Sequence, residues 1–570
     1  RIAMRRPLIS FQNFSFTYSD QNEPTLEELN VTIYEGEKIL VLGPSGSGKT
    51  TFARCLTGVL PSEENGDVSG NILFHHQVDQ TVAPFEDFLP NEMKLIKNSM
   101  IPHADQMGKF GVKQQIPFRS AEDLKKLENW HEFLQKRPYL KRSFMKLSEQ
   151  QLVDITMAGI SLDGKPLILF DEPLANLDPS SGDLAMKFID DLHRVSDTTV
   201  LIIEHRLEDV LAQPIDRILL FSGGRIIADA TPEEILRTEI LSDIGIREPL
   251  YITAMRYAGV DLDNVRELAN VKKVNGPQLK EQMESWLNYL PQFRYADYDE
   301  VLLELDGLSF KYPWNDEDIV DGAFLRIYKG EMLSLVGANG AGKSTLSRLM
   351  TGEEKPQSGR IYWKGHEISD IDADEAENYV GYVPQNPKDS LSQETVYAEI
   401  ALKLRQRNMD EEAIEKKVDE VAKVCGLQYI KDLPLSMLSF GQLKRVSIAA
   451  VLALDPELII LDEPAAGQDF SHYKDIMHFL QQIHQNGVTV VIVTHDMHLM
   501  LEYTRRAVVM AKGKIVADTS SAFVLINPRL IQVASLKETT LFTFANQIGM
   551  TDPYSFTEKF VYYDRAARLF

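Results

Sequence analysis

The chain of 570 residues carries 60 Lys and Arg against 84 Asp and Glu, a net charge of −24 at pH 7, and is 44% apolar. That length exceeds what one hydrophobic core organises and calls for two or more domains, while the acidic balance argues against a nucleic-acid backbone as partner. No apolar run approaches the ~18 residues that span a bilayer; the best, such as Val488–His495 ("VTVVIVTH"), are strand-length.

In chain order, the first ten residues are basic but no apolar core follows, so no secretory signal is expected. The sequence opens on Arg1, and Met4 is a candidate natural start. Strand-like runs at Ile9–Phe16 and Lys38–Leu42 lead into "GPSGSGKTT", Gly43 to Thr51. This is the G-x-x-x-x-G-K-[ST] phosphate-binding loop, set after an apolar strand and before a helix. Its glycines let main-chain N–H groups turn inward on a polyphosphate at the positive end of that helix. Gly43, Pro44, Ser45, Gly46, Ser47, Gly48 and Thr51 belong to this cradle. Lys49 would reach the β- and γ-phosphates, and Thr50 would ligate Mg²⁺ through its hydroxyl.

The next strand-like run, Leu167–Phe170, ends on Asp171 and Glu172 ("LILFDEP"). Adjacent acids at a strand end can be a solvated loop. After a phosphate loop, at the carboxyl edge of a parallel sheet, they can instead hold Mg²⁺ (Asp171) and polarise an attacking water (Glu172). Leu184–Val195 has helical apolar spacing. Val200–Ile203 is a further buried-strand pattern shortly before His205, Arg217–Phe221 another, and Ser222–Arg225 is a turn. Residues 237–299 form a polar, mostly helical connection without a legible motif.

The second half repeats the first. Gly337 to Thr345 read "GANGAGKST", so Gly337, Ala338, Asn339, Gly340, Ala341, Gly342, Lys343, Ser344 and Thr345 restate the phosphate loop. "LIILDEP" brings Asp462 and Glu463, and "VVIVTH" brings His495. Lys49 and Lys343 lie 294 residues apart, the two aspartates 291 and the two histidines 290. Near-constant offsets in one order mark a duplication with small insertions and deletions. Each half reads as α/β, giving expected domains at 1–236 and 300–520, with 237–299 between them and a tail at 521–570. A histidine at a strand end is commonly a hydrogen-bonded rim residue; its recurrence favours His205 and His495 as donors to a γ-phosphate. Tyr18 and Tyr312, also 294 apart, could equally stack on an adenine ring or sit in the core. Cys55 and Cys425 match no metal spacing and are expected to be buried thiols of a reducing compartment.

The order of aromatic residue, phosphate loop, "LS-x-G-Q" element, Asp-Glu strand end and histidine resembles the ATP-binding-cassette (ABC) ATPases over nearly the whole chain. The resemblance implies two tandem P-loop ABC-type nucleotide-binding domains, each with a mainly parallel core sheet, an antiparallel β part and a helical subdomain. It also implies that the two cassettes pair head to tail around two ATP molecules. One composite site would then unite Lys49, Thr50, Asp171, Glu172 and His205 with Ser439, Gly441 and Gln442. The other would unite Lys343, Ser344, Asp462, Glu463 and His495 with Ser148 and Gln151. Asp178 and Asp469 match the family's loop between the sites. "IIEHRLEDVL" (Ile202–Leu211), "GRIIADATPEEIL" (Gly224–Leu236) and the fused layout resemble the ATPases of energy-coupling-factor vitamin importers. These sit on the cytoplasmic face of the cell membrane and drive an integral scaffold and a substrate-capturing membrane subunit. No nucleic acid is expected among the partners.

Two places depart from the family pattern. The glutamine loop, a contact to Mg²⁺ and to the membrane subunits, is plain in the second half as Gln385 ("YVPQNP"), whereas the first half offers His103 or Gln106 ("MIPHADQ"). The helix start "LSFGQ" becomes "LSEQQ", with Gln150 where the second half has Gly441. Ser148 and Gln151 still form an S-x-x-Q capping box, so the helix start is expected to survive. What suffers is the approach of main-chain N–H to phosphate, which a side chain obstructs. Rival readings are a two-cassette translation factor on ribosomes and a fused sugar-importer ATPase; the acidic charge and an unremarkable linker, in place of a long charged one, speak against the first.

Overall fold

A computed structural model describes residues 5–57, 60, 66–75, 82–84, 96–98, 167–175, 177–196, 199–292 and 296–568. The chain divides into two compact units, 1–282 and 283–570. Among the described residues each contains a six-stranded sheet and a four-stranded sheet.

In the first unit the larger sheet runs Arg225–Ala230, Arg217–Ser222, Lys38–Leu42, Thr199–Ile203, Leu167–Asp171, Ile96–Asn98. In the second it runs Lys514–Ser520, Arg506–Ala511, Met332–Gly337, Thr489–Val493, Leu458–Asp462, Val380–Val383. In both, the first-named edge strand is antiparallel to its neighbour and the other pairings are parallel. The central strands are buried along their whole length, Lys38–Leu42, Thr199–Ile203 and Met332–Gly337 among them. That is why they read as largely apolar runs rather than alternations. The antiparallel edge strands alternate exposed and half-buried residues.

The four-stranded sheets are antiparallel: Leu26–Tyr34, Pro7–Tyr18, Gly66–His75 and Val82–Pro84 in the first unit. Val320–Tyr328, Val301–Phe310, Ser358–Trp363 and His366–Glu367 repeat them in the second. In the second unit, helices Val396–Gln406, Glu411–Val424 and Phe440–Leu452 share one core with Leu461 and Ile492. The corresponding stretch of the first half lies outside the described residues. Segment 237–299 contains helices Ile240–Asp243, Leu250–Tyr257 and Leu279–Tyr289, the last spanning the boundary between the units. Residues after Ser520 form four helices, ending with Pro553–Arg568, whose Phe556 and Phe560 are buried.

The strand and helix readings hold with shifted ends. The run Ile9–Phe16 extends to Pro7–Tyr18. The helix read from Leu184 begins at Pro179 because Asp178 caps it, its carboxylate accepting from Ser181 N–H at 2.7 Å. Cys55 and Cys425 are free and buried, and burial pushes each thiol up to about 12.

Candidate functional site

Parallel pairing brings the chemistry-bearing strand ends to one edge of each sheet. Val41 pairs with Ile203 and Ile203 with Asp171, so the phosphate loop, the Asp-Glu pair and the histidine leave neighbouring strands at the same level. Leu335, Val493 and Asp462 repeat the arrangement. This is where an open α/β sheet binds ligands.

Each phosphate loop is held open by its glycines. Gly46 and Gly48 have φ of 75° and 102°, and Gly340 and Gly342 have 81° and 104°. A Cβ on Gly342 would lie 2.6 Å from the Ile319 carbonyl oxygen, whereas one on Gly340 would meet nothing within 4 Å. Lys49 and Lys343 open their helices and turn their ammonium groups onto the loop's own carbonyls, Gly43 O and Gly337 O. Lys49 Nζ also donates to Pro44 O at 3.0 Å. The Ser47 hydroxyl is buried without a hydrogen-bond partner, the kind of orphan that a ligand satisfies. Thr50 and Ser344 are exposed beside their lysines, and Thr51 and Thr345 are buried. Gly342→Ala combines the close approach with a left-handed backbone that costs an alanine roughly 1–3 kcal/mol. It is expected to abolish nucleotide binding by the second loop, lowering the calorimetric stoichiometry from two to one; retention of two sites contradicts it.

The Asp-Glu pairs are alike in backbone and unlike in surroundings. Glu172 and Glu463 have φ of 48° and 43°, left-handed for a residue with a Cβ, and their N–H groups donate to Ile203 O and Val493 O at 2.9 and 2.8 Å. Strain repeated at one place is typical of a functional strand end. Burial raises the Asp171 carboxyl against the pull of Lys49, and burial raises Asp462 too. Asp462 Oδ2 accepts from the Tyr382 hydroxyl at 3.0 Å. His495 Nδ1 lies 2.8 Å from Glu463 Oε1, but His205 Nδ1 stands 3.9 Å from Glu172 Oε1. Glu172 is raised by burial and then by the neighbouring acid Glu204, itself fully enclosed and raised by burial.

In the second unit, Ser439 caps helix Phe440–Leu452: its hydroxyl accepts from Gln442 N–H and the Gln442 side chain accepts from Ser439 N–H. This is the reciprocal box expected from S-x-x-Q. Gly441 has no positive φ and open space around its missing Cβ, so the helix start does not need a glycine there. Ser148, Gln150, Gln151, His103 and Gln106 lie outside the described residues. Gln385 is exposed, and its carbonyl, with that of Pro384, accepts from the buried Lys444 at 3.0 and 2.7 Å. Burial lowers Lys444 to about 8.

Tyr18 and Tyr312 are half-buried and edge-on to Phe16 and Phe310. Tyr18 shares a 3.0 Å hydrogen bond with Thr51, a residue of the phosphate-loop helix. Tyr312 accepts from Arg348 at 3.1 Å and stacks on Trp314 at 4.8 Å and 9°. Asp469, like Asp178, caps a helix, accepting from His472 N–H at 2.9 Å. The motif reading missed Glu204 and Lys444; comparing the repeats position by position shows the first as an acid in the place of Thr494.

The ABC transporter family model matches residues 26–175 and 320–466. A second model, described as "ATP-binding cassette cobalt transporter", matches residues 238–310. A putative ABC transporter ATP-binding protein of Enterococcus faecalis is 44% identical over 99% of this chain and 100% of its own length. One from Lactiplantibacillus plantarum is 41% identical over 99% and 100%. The solved structure of cbiO1 from Clostridium perfringens, part of the ABC transporter complex cbiONQ, is 32% identical, covering 41% of this chain and 94% of that one with a TM-score of 0.38. Two matched cassettes and whole-length relatives show that the chain belongs to the ABC transporter family, as an ATP-binding protein whose ATPase activity is coupled to transport.

Proposed function

We propose that the chain is the energy-coupling ATPase of an importer of the energy-coupling-factor type, seated on the cytoplasmic face of the membrane against an integral scaffold and a substrate-capturing subunit. The carrying observation is that each unit brings a phosphate loop, an Asp-Glu strand end and a histidine to one sheet edge, in a chain related over its whole length to transporter ATP-binding proteins. Among the described residues no helix is long and apolar enough to cross a membrane; in this reading passage of the cargo falls to the membrane subunits. The cargo is a vitamin or related small molecule. Cobalt import is the second reading, favoured by the match over residues 238–310.

ATP is cradled by Gly43–Thr51 in one site and Gly337–Thr345 in the other, with Tyr18 and Tyr312 against the base. Mg²⁺ fits the donors present: Thr50 with Asp171, and Ser344 with Asp462 and Gln385, are hard oxygens few enough to leave room for phosphate and water. When bound, it neutralises charge on the phosphates. Glu172 and Glu463 orient and polarise the attacking water, while His205 and His495 donate to the γ-phosphate. In the family's head-to-tail pairing the Glu172 site receives Ser439, Gly441 and Gln442, and the Glu463 site receives Ser148, Gln150 and Gln151. The two sites therefore work unequally, the Glu172 site carrying most turnover.

Purification of the tagged chain from detergent-extracted membranes, with its partners identified by mass spectrometry, tests the transport reading. Integral membrane proteins are expected to accompany it in fixed proportion. Recovery with ribosomes would overturn the assignment.

A further inference from the structure

Glu204 has no duty in phosphate-loop chemistry, yet it is a carboxylate with a side chain only 1% exposed. Its counterpart Thr494 donates its hydroxyl to Glu463 Oε2 at 3.1 Å. His495 N–H donates to Glu463 Oε1 at 3.0 Å, and Asp496 N–H to the Thr494 hydroxyl at 2.9 Å. In the second unit, then, Glu463 itself ties the Asp-Glu loop to the histidine strand. The first unit transfers that work: Glu204 Oε2 accepts from His205 N–H at 3.1 Å and Oε1 from Leu174 N–H at 3.0 Å. Arg206 reinforces the same turn, donating to Leu174 O at 3.0 Å and to Asp209 at 2.7 Å.

The consequence appears at the neighbouring glutamate. The Glu172 side chain is 51% exposed, against 13% for Glu463, and stands farther from its histidine. We propose that Glu204 is a positioning residue peculiar to the first cassette, which accepts the His205 N–H where Glu463 accepts the matching His495 N–H in the second, and so leaves the Glu172 carboxylate to face the attacking water. A hydroxyl at position 204 would draw on Glu172 as Thr494 draws on Glu463. Burying a carboxylate is costly unless hydrogen bonds compensate it, and two main-chain donors compensate this one. The inference rests on the unequal-site reading and deepens it by supplying a cause within the first cassette.

The test uses the full chain carrying Glu463→Gln, so that turnover reports the Glu172 site. Glu204→Ala is expected to lower kcat about tenfold or more, the order expected of a reacting group moved by a fraction of an ångström. KM for ATP should change less than about twofold, because the interaction acts on the chemical step. Glu204→Gln keeps an acceptor for one of the two N–H groups and should recover a substantial part of kcat. An unchanged kcat, a parallel rise in KM, or no recovery with Gln overturns the proposal. Should Glu463→Gln alone be inert, the unequal-site reading falls by itself and amide exchange decides the matter for Glu204. Leu174 and His205 N–H then lose protection in Glu204→Ala, and unchanged exchange at both overturns the positioning role.

Discussion

Glu172→Gln is expected to remove most ATP turnover, by about 10²-fold or more as loss of a general base does, while Glu463→Gln leaves the larger part of it. Two equal sites would instead lose comparable activity with either variant. The proposed asymmetry rests first on Gly441 against Gln150. Gly441 sits in the first turn of a capped helix with ordinary helical φ and open space at its missing Cβ. A glycine within a helix costs about 1 kcal/mol relative to alanine, and nothing in the fold asks for it there. Close approach of main-chain N–H to a phosphate does ask for it. In the proposed pairing Gln150 would give that approach up, and loss of a transition-state donor costs on the order of 10²–10³ in rate. Steady-state ATPase assays on the purified full chain measure both variants. Abolition by Glu463→Gln with activity spared in Glu172→Gln reverses the assignment of the productive site.

Much of this architecture is written locally. Buried parallel strands are short apolar runs, and the phosphate loops, Asp-Glu pairs and histidines are contiguous motifs recurring at near-constant separations. What the sequence conceals is pairing between distant segments. Leu174 N–H and Glu204 Oε1 meet across 30 positions, and Lys444 reaches Pro384 O across 60. The left-handed backbone at Glu172 and Glu463 has no signature in residue type either, because glutamate ordinarily avoids that region. "IIEH" and "IVTH" read as one strand end copied twice. Only the geometry shows that the acid in one and the hydroxyl in the other serve different partners. Asp178 and Asp469 show the converse: each matches a family loop, and each also has a structural duty as a helix cap.

Asp190→Ala is expected to destabilise the first unit by about 3–5 kcal/mol, the usual cost of stripping one partner from a buried ion pair. Lys38 Nζ donates to Asp190 Oδ1 at 2.9 Å, with side-chain exposures of 2% and 10%. Burial already lowers the Lys38 ammonium below its ordinary value, and Asp190 opposes that. Without the aspartate the lysine must stay charged and unpaired or release its proton. Releasing it at pH 7 from an ordinary value of 10.5 caps the penalty near 5 kcal/mol. The penalty should therefore shrink as pH rises towards 10.5, since the unfolded chain then binds a proton that the folded chain has given up. Arg194 also pairs with Asp190 at 3.0 Å but is 66% exposed, so its loss adds little. The second unit does without the pair: the equivalent positions hold Met332, which is buried, and Gln481. Its framework is otherwise the same, with His193 bonded to Gly36 O and His484 to Gly330 O at 2.8 and 2.7 Å. Lys38→Met combined with Asp190→Gln should therefore recover most of the loss, as apolar replacement of buried ion pairs commonly does. Hydrogen exchange of the buried strand Thr199–Ile203 reads the first unit's stability in each variant. A double variant as unstable as Asp190→Ala would mean that the two units pack this position differently, and that the ion pair is not interchangeable with the second unit's solution.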